Sequence, residues 1–348
     1  MSIGRSWQDS MRPMAMMRMS PIRHLPSSRK IGPSPLRCNR SSPFTLSPDS
    51  RTSQGNLMFG SHLSVAGGMH NALNEAQSLK MDCVQVFTKN QRQWTVKPLT
   101  DEQIKSWDDA RKQTGITDIV SHDSYLINLA NPDKAKRDKA VALFREELLR
   151  CDQLGIPYLV THPGAHLGEG EEAGIKLYCK TLGQIHKDLP GLKVITCLET
   201  TAGQGTCLGW KFEHLEQMLS DTAQSERLGI CVDTAHLIAA GYDLTSRDGC
   251  VGVIDEMAEK LTLERIKVLH LNDSKIPLGK RVDRHEHIGH GTIAKVAFAH
   301  LLSEPALMDL PKILETAKED HPDGKSWDVV NIKTLKAMQK QGIKARKA

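Results

Sequence analysis

From about residue 57 onward, short apolar runs alternate with longer amphipathic stretches. The runs fall at 58–63, 83–87, 118–120, 157–161, 193–198, 229–232, 266–269 and 311–314. They are rich in Val, Ile and Leu, as strands buried on both faces should be. The stretches between them carry helical periodicity. The clearest lies at 133–154, where Val141, Phe144, Leu148, Cys151 and Leu154 recur at helical spacing and Lys and Arg fill the other face. It opens at Asn131–Pro132–Asp133 and stops at Gly155, which are start and stop signals of the expected kind. Eight strand–helix alternations in roughly 260 residues predict a single α/β domain, a (β/α)8 TIM barrel, over residues 56–335. An open doubly wound sheet is the alternative, but no G-x-G-x-x-G follows the first strand.

Composition adds little until charge is placed along the chain. The formal net charge of +5 hints at nucleic acid. Residues 1–55, however, hold eight Arg and one Lys against two Asp, so that segment carries +7 and residues 56–348 carry −2. The segment also holds twelve Ser and seven Pro without apolar periodicity, which predicts a disordered basic extension. Three accounts of it stand: an organellar targeting segment, a nucleic-acid arm, or a start codon placed too far upstream, with Met58 as the true start. A second basic segment, 336–348, reads as a C-terminal tail. No apolar run approaches the ~20 residues of a membrane span, so no membrane partner is expected. The eight Cys form no C-x-x-C pair, which predicts buried free thiols in a reducing cytoplasm.

The residue closing each apolar run is polar. His62 closes the first, and the second runs into Thr88–Lys89–Asn90. His122, His162, Glu199, Asp233, His270 and Glu315 follow the third to eighth. In a (β/α)8 barrel these ends converge on one mouth, where active sites are built. Gathering so many ionisable groups without a cation would be very costly, so a metal cluster at the C-terminal face of the strands is expected. His236 follows Asp233 by three residues and reaches the same side of a first helical turn. Asp283 and His285 form a D-x-H pair in the loop after the seventh strand. Five imidazoles and four carboxylates suit Zn2+, with Mn2+ or Fe2+ as alternatives. Nine ligands fit three ions sharing bridging carboxylates. Such a cluster suits hydrolysis of a phosphoester.

These residues sit in motifs that resemble endonuclease IV, the metal-dependent apurinic/apyrimidinic (AP) endonuclease family of base-excision repair. The matching segments include Gly60–Ser61–His62–Leu63–Ser64, Phe87–Thr88–Lys89–Asn90–Gln91–Arg92–Gln93–Trp94 and His122–Asp123–Ser124–Tyr125–Leu126. They continue with His162–Pro163–Gly164, Glu199–Thr200–Thr201–Ala202–Gly203–Gln204–Gly205, Asp233–Thr234–Ala235–His236, His270–Leu271–Asn272–Asp273–Ser274–Lys275, Arg281–Val282–Asp283–Arg284–His285 and Ile313–Leu314–Glu315–Thr316. The resemblance covers about three quarters of the chain, with the motifs in family order.

The resemblance implies three zinc ions. His122, His162 and Glu199 would hold the first. Glu199 would bridge to a second, held also by Asp233, His270 and Glu315. His236, Asp283 and His285 would hold the third. A metal-bound hydroxide would attack the phosphate 5′ to an abasic sugar in double-stranded DNA, leaving a 3′-hydroxyl and a 5′-deoxyribose phosphate, and the same centre would trim blocked 3′ ends. Arg92, Tyr125 and Leu126, with Gln93 nearby, would fill the stack where the abasic nucleotide is flipped out. Lys89, Lys275, Arg281 and Arg284 would contact phosphates. A monomer acting in the cytoplasm on the bacterial nucleoid is expected. One departure stands out: where the family commonly has an acidic residue between two glycines, this chain has Gly289–His290–Gly291.

The strongest rival is a metal-dependent sugar isomerase or epimerase, which would use Glu199, Asp233, His270 and Glu315 but has no need of His122, His162, His236 or the Asp283/His285 pair. A non-catalytic DNA-binding module with a structural cluster is a third reading. Structural zinc sites are closed and usually Cys-rich, which disfavours it.

Overall fold

Strand β1 (Phe59–His62) pairs in parallel with β2 (Cys83–Val86) on one side and with β10 (Lys312–Leu314) on the other, and that double pairing closes the sheet. The computed structural model describes residues 58–348, so the expectations for residues 1–55 lie outside the described residues. The remaining barrel strands are β3 (Asp118–His122), β4 (Tyr158–Thr161), β5 (Ile195–Glu199), β6 (Leu228–Asp233) and β7 (Ile266–His270). Their order is β1-β10-β7-β6-β5-β4-β3-β2, a closed parallel barrel. Every predicted strand is present, with ends shifted by one or two residues.

Helices α1 (His70–Ser78), α2 (Asp101–Thr114), α3 (Lys134–Gln153), α4 (Glu171–Asp188), α5 (Phe212–Asp221), α6 (Thr234–Ala240), α7 (Arg247–Leu261), α8 (Lys295–Leu302) and α9 (Trp327–Lys347) lie between and after the strands, with α6 and α7 both between β6 and β7. A short antiparallel pair, β8 (Asp273–Ser274) with β9 (His285–Glu286), ties the loop after β7 to itself. Helix α3 begins as its sequence dictates: the Asp133 carboxylate accepts from the backbone N–H groups of Ala135 and Lys136, satisfying donors the first turn leaves open. Trp107, Phe144, Phe212 and Phe298 are buried in the layer between strands and helices. Among the described residues, no helix is long and apolar enough to cross a membrane. Of the seven described cysteines, all are free and six are buried.

The basic tail expected at 336–348 is corrected here. Residues up to Lys347 continue helix α9, which buries Leu335, Met338, Gln339 and Gly342. A Cβ at Gly342 would lie 1.9 Å from the carbonyl oxygen of Ala299, so only glycine lets α9 approach α8 this closely. Lys336 pairs with Asp82 at 3.0 Å, just before β2. The charge that looked like a solvated tail is therefore the outer face of a docked helix, reaching toward the barrel pole opposite the strand C-termini.

A second, smaller core fills the barrel itself: Met58, Cys83, Val120, Val160, Cys197, Cys231, Val268 and Ile313. Side chains two apart along a strand point the same way. The next inward layer toward the C-terminal mouth is therefore Gln85, His122, His162, Glu199, Asp233, His270 and Glu315. The apolar floor and the polar mouth are consecutive turns of one alternation.

Candidate metal centre

Glu199, at the end of β5, is wholly buried and central to this polar layer. One of its oxygens, Oε2, lies 3.0 Å from His122 Nε2 and 3.1 Å from His162 Nε2. The other, Oε1, lies 3.0 Å from His270 Nδ1 and 3.4 Å from His236 Nδ1. His270 Nδ1 is also 3.2 Å from Glu315 Oε2 and 3.9 Å from Asp233 Oδ2. Asp283, from the loop after β7, reaches His236 Nε2 and His285 Nε2, each at 3.3 Å. All nine residues singled out in the sequence thus share one cavity.

Ligand atoms within 4.8 Å of one another define the groups His122–His162–Glu199, Glu199–Asp233–His270–Glu315 and Asp233–His236–His285. The first two are the sets implied by the resemblance. In the third, Asp233 stands with the two imidazoles and Asp283 touches both of them from the side. A further grouping brings Cys231 of the floor layer beside Glu199 and His270. Burial pushes that thiol up to about 12, which favours its protonated form while no cation is bound.

The donor set fits divalent cations. Among the described residues, no Lys or Arg pairs with Glu199, Asp233, Asp283 or Glu315. His285 Nε2 is buried without a hydrogen-bond partner and faces Asp283 and Asp233. Without a cation, protonated imidazoles must supply the positive charge. Burial alone would raise the Glu199 carboxyl, but His270 and His162 hold it well below the usual carboxylate range. Burial would lower His236, but Asp233 and Asp283 hold it well above the usual imidazole range. His122 and His285 rise to about 9 by the same contest between burial and neighbouring carboxylates. A bound metal would displace those protons and take over the role.

The imidazoles are held from behind. His122 Nδ1 meets the Asp123 carbonyl at 2.9 Å, His236 Nδ1 the Thr200 carbonyl at 2.8 Å, and His285 Nδ1 the Glu315 carbonyl at 3.2 Å. Nδ1–H donating to a carbonyl leaves Nε2 as the ligating atom.

Comparison with known proteins places this arrangement. Residues 73–338 match the family model described as xylose isomerase-like TIM barrel. A protein of Chloroflexus aurantiacus named probable endonuclease 4 is 46% identical over 80% of this chain and 97% of the relative. The crystal structure of endonuclease IV from Thermus thermophilus superposes with a TM-score of 0.70 at 32% identity, over 82% of this chain and 99% of that one. The chain belongs to the endonuclease IV family. A D-tagatose 3-epimerase-like protein aligns at 19% identity with a TM-score of 0.63 over 84% of this chain and its own whole length, and shares the barrel fold alone with this endonuclease IV family member.

Sequence reading of this endonuclease IV family chain missed the support of the cluster. Gln85 on β2 donates from Nε2 to Glu315 Oε1 at 2.6 Å, and its Oε1 lies 2.8 Å from His270 Nε2. Asn272 donates to Asp233 Oδ2 at 2.7 Å and accepts from the Glu315 backbone N–H at 2.7 Å. The available signal was a lone amide inside the apolar run Cys83–Val84–Gln85–Val86, in register with the floor residue Cys83. His62 closes β1 as read, within 2.9 Å of Gln85 Nε2; burial lowers it to about 4, so it stays neutral beside the cluster.

The residues expected to meet DNA divide. Arg92 and Gln93 are exposed on the loop after β2. Tyr125 is 56% exposed, its ring 6.0 Å from that of His122 and 6.5 Å from that of His162, so it stands on the rim directly beside the centre. Leu126 is half-buried next to it, and Lys275 is exposed. Arg281 lies over the Trp210 ring, and Arg284 donates to the Asp283 carbonyl at 2.7 Å. Lys89 is corrected: it is buried, with Nζ 3.3 Å from the equally buried Glu147. Its ammonium is spent on that carboxylate and on the Asn90 carbonyl at 3.4 Å, so it is not a solvated loop cation. His290 is exposed and meets the Trp327 ring edge-on at 5.2 Å, clear of the nine ligands.

Proposed function

We propose that this protein is a zinc-dependent AP endonuclease of base-excision repair. It hydrolyses the phosphodiester 5′ to an abasic site in double-stranded DNA, leaving a 3′-hydroxyl and a 5′-deoxyribose phosphate, and trims blocked 3′ ends at the same centre. The observation that carries this reading is the Glu199 carboxylate with two imidazoles on each oxygen, surrounded by four more ligating groups and backed by the Gln85 and Asn272 amides. A sugar isomerase would need only Glu199, Asp233, His270 and Glu315. The reading accounts for His122, His162, His236, Asp283 and His285 as well.

Three zinc ions would occupy the cluster, with Glu199 bridging the first two. When bound, they supply Lewis acidity and lower the pKa of an attacking water, which suits in-line displacement at phosphorus. The protein's own share is orientation and access. Carbonyls behind the imidazoles fix their ligating nitrogens. Gln85 and Asn272 hold Glu315 and Asp233 in place. Tyr125, Arg92 and Leu126 fill the stack vacated by the flipped nucleotide, with Gln93 beside them, and Lys275, Arg281 and Arg284 take phosphates. The protein is proposed to act as a monomer in the cytoplasm.

Metal analysis together with incision of a duplex carrying one abasic site tests this. About three zinc ions per chain and cleavage abolished by a strong chelator are expected. One or two ions, with epimerisation of a ketohexose and no incision, would establish the sugar-isomerase reading instead.

A further inference from the structure

Seven of the nine ligands grow from strand ends or the first turn of α6, where barrel hydrogen bonds fix them. Asp283 and His285 do not. Asp283 hangs on the loop between β8 and β9 and His285 opens β9. Within this excursion they are held by a two-residue antiparallel pair and by the Lys275 N–H donating to the Arg284 carbonyl at 3.0 Å. Asp283 is also the most exposed ligand for which an ion pair is seen, at 37% for its side chain. Something outside that loop must hold it.

The loop after β5 does so. The Arg281 guanidinium lies 3.8 Å from the centroid of the Trp210 ring, a close cation–π contact. Trp210 is itself anchored: its Nε1 donates to Glu171 Oε1 at 3.0 Å, at the start of α4. Lys211 Nζ and His214 Nε2 meet the other Glu171 oxygen at 2.9 and 3.2 Å. A Cβ at Gly203, whose φ is +74°, would come within 3.0 Å of the Trp210 ring, so the turn is shaped around the indole. Gln204 Oε1 of the same loop accepts from the Asp283 backbone N–H at 3.3 Å. Arg281 adopts a positive φ of +53° and its N–H donates to the Ala239 carbonyl at 2.8 Å, so its backbone is pinned in a conformation non-glycine residues seldom take. The loop is thus gripped at residue 281 and again at residue 283.

We propose that Trp210 is a positioning residue for the third metal position: its clasp on Arg281 places Asp283 against His236 and His285. Trp210 touches none of the ligands itself and acts through Arg281 and the backbone between them. This rests on the three-ion reading above.

The test is zinc content and release, read without DNA. Wild-type protein and the variants Trp210→Leu, Trp210→Phe, Arg281→Ala and Arg281→Lys are loaded with zinc, and release to a chromogenic chelator is followed. Outer partners of metal ligands are worth about 10–100-fold in affinity. Trp210→Leu and Arg281→Ala are expected to release one ion of three at least about tenfold faster than wild type and to leave the other two unchanged. Trp210→Phe and Arg281→Lys, which keep a ring face and a cation, are expected to stay closer to wild type. Arg281 lies on an exposed loop, so its variants test the clasp even if Trp210→Leu does not fold. Three ions released at wild-type rates from Arg281→Ala would overturn the positioning role and leave the three-ion reading standing. Fewer than three ions in wild type would overturn both.

Discussion

Glu199 Oε1 lies 3.0 Å from His270 Nδ1, with both side chains wholly buried at the centre of the barrel mouth. Since the other Glu199 oxygen faces His122 and His162, one carboxylate links two ligand groups. Glu199→Gln keeps the shape but removes the charge and one acceptor. Incision of an abasic duplex is expected to fall by about 10²-fold or more, with loss of bound zinc, because a direct bridging ligand should matter at least as much as an outer partner. Unchanged incision and zinc content would rule out the bridging role.

Gln85 is an outer partner of this kind, touching His270 and Glu315 through opposite ends of one amide. Gln85→Leu keeps the volume and deletes both contacts. Zinc affinity, measured by competition with a chelator, is expected to drop about 10–100-fold while the fold is retained.

Tyr125 stands on the rim, outside the nine candidate ligands, so its role is separable from theirs. For Tyr125→Ala, binding to an abasic duplex is expected to weaken by about 1–3 kcal/mol, the usual worth of an aromatic stacking contact with a base. Zinc content should not change. Equal affinity in a binding titration would remove Tyr125 from damage recognition.

Lys89 and Glu147 form a buried pair, so breaking it from one side strands a charge. Lys89→Met is expected to cost about 3–5 kcal/mol in denaturant unfolding. If Lys89 instead served as a surface phosphate contact, stability would hold and DNA affinity alone would fall.

His186 gives a pH signature away from the metal centre. It is buried against Thr196 Oγ1 at 3.1 Å, and burial, reinforced by Arg227, lowers it to about 3 from 6.5. The unfolded chain takes up a proton below pH 6.5 while the folded chain does not, so stability is lost as pH falls from about 6.5 toward about 3. His186→Gln keeps a partner for Thr196 without titrating. Thermal melts of metal-free wild type and variant should converge in stability dependence above pH 7, and the variant should lose less on acidification. Parallel slopes would exclude the contribution.

Much of this was legible in the chain because two periodicities are local. Alternation along each strand places Val120 and His122, or Cys197 and Glu199, on one face, and eight such strands admit few arrangements other than a closed barrel. Seven of the nine candidate ligands followed, since each closes an apolar run or stands one turn beyond it, while Asp283 and His285 were read from a D-x-H pair in the loop after the seventh run. What the sequence could not supply was contact between segments far apart in the chain. Gln85 and Glu315 are 230 residues apart, and their hydrogen bond exists only because β1, between β2 and β10, brings their ends together. Lys89 looked like a mouth cation until the fold put the α3 carboxylate of Glu147 against it. The charged end of α9 looked like a tail until α8 was packed along it. Local pattern determined which residues face inward; only the closed sheet and its helical layer decided which of them meet, because burial and pairing are properties of neighbours in space.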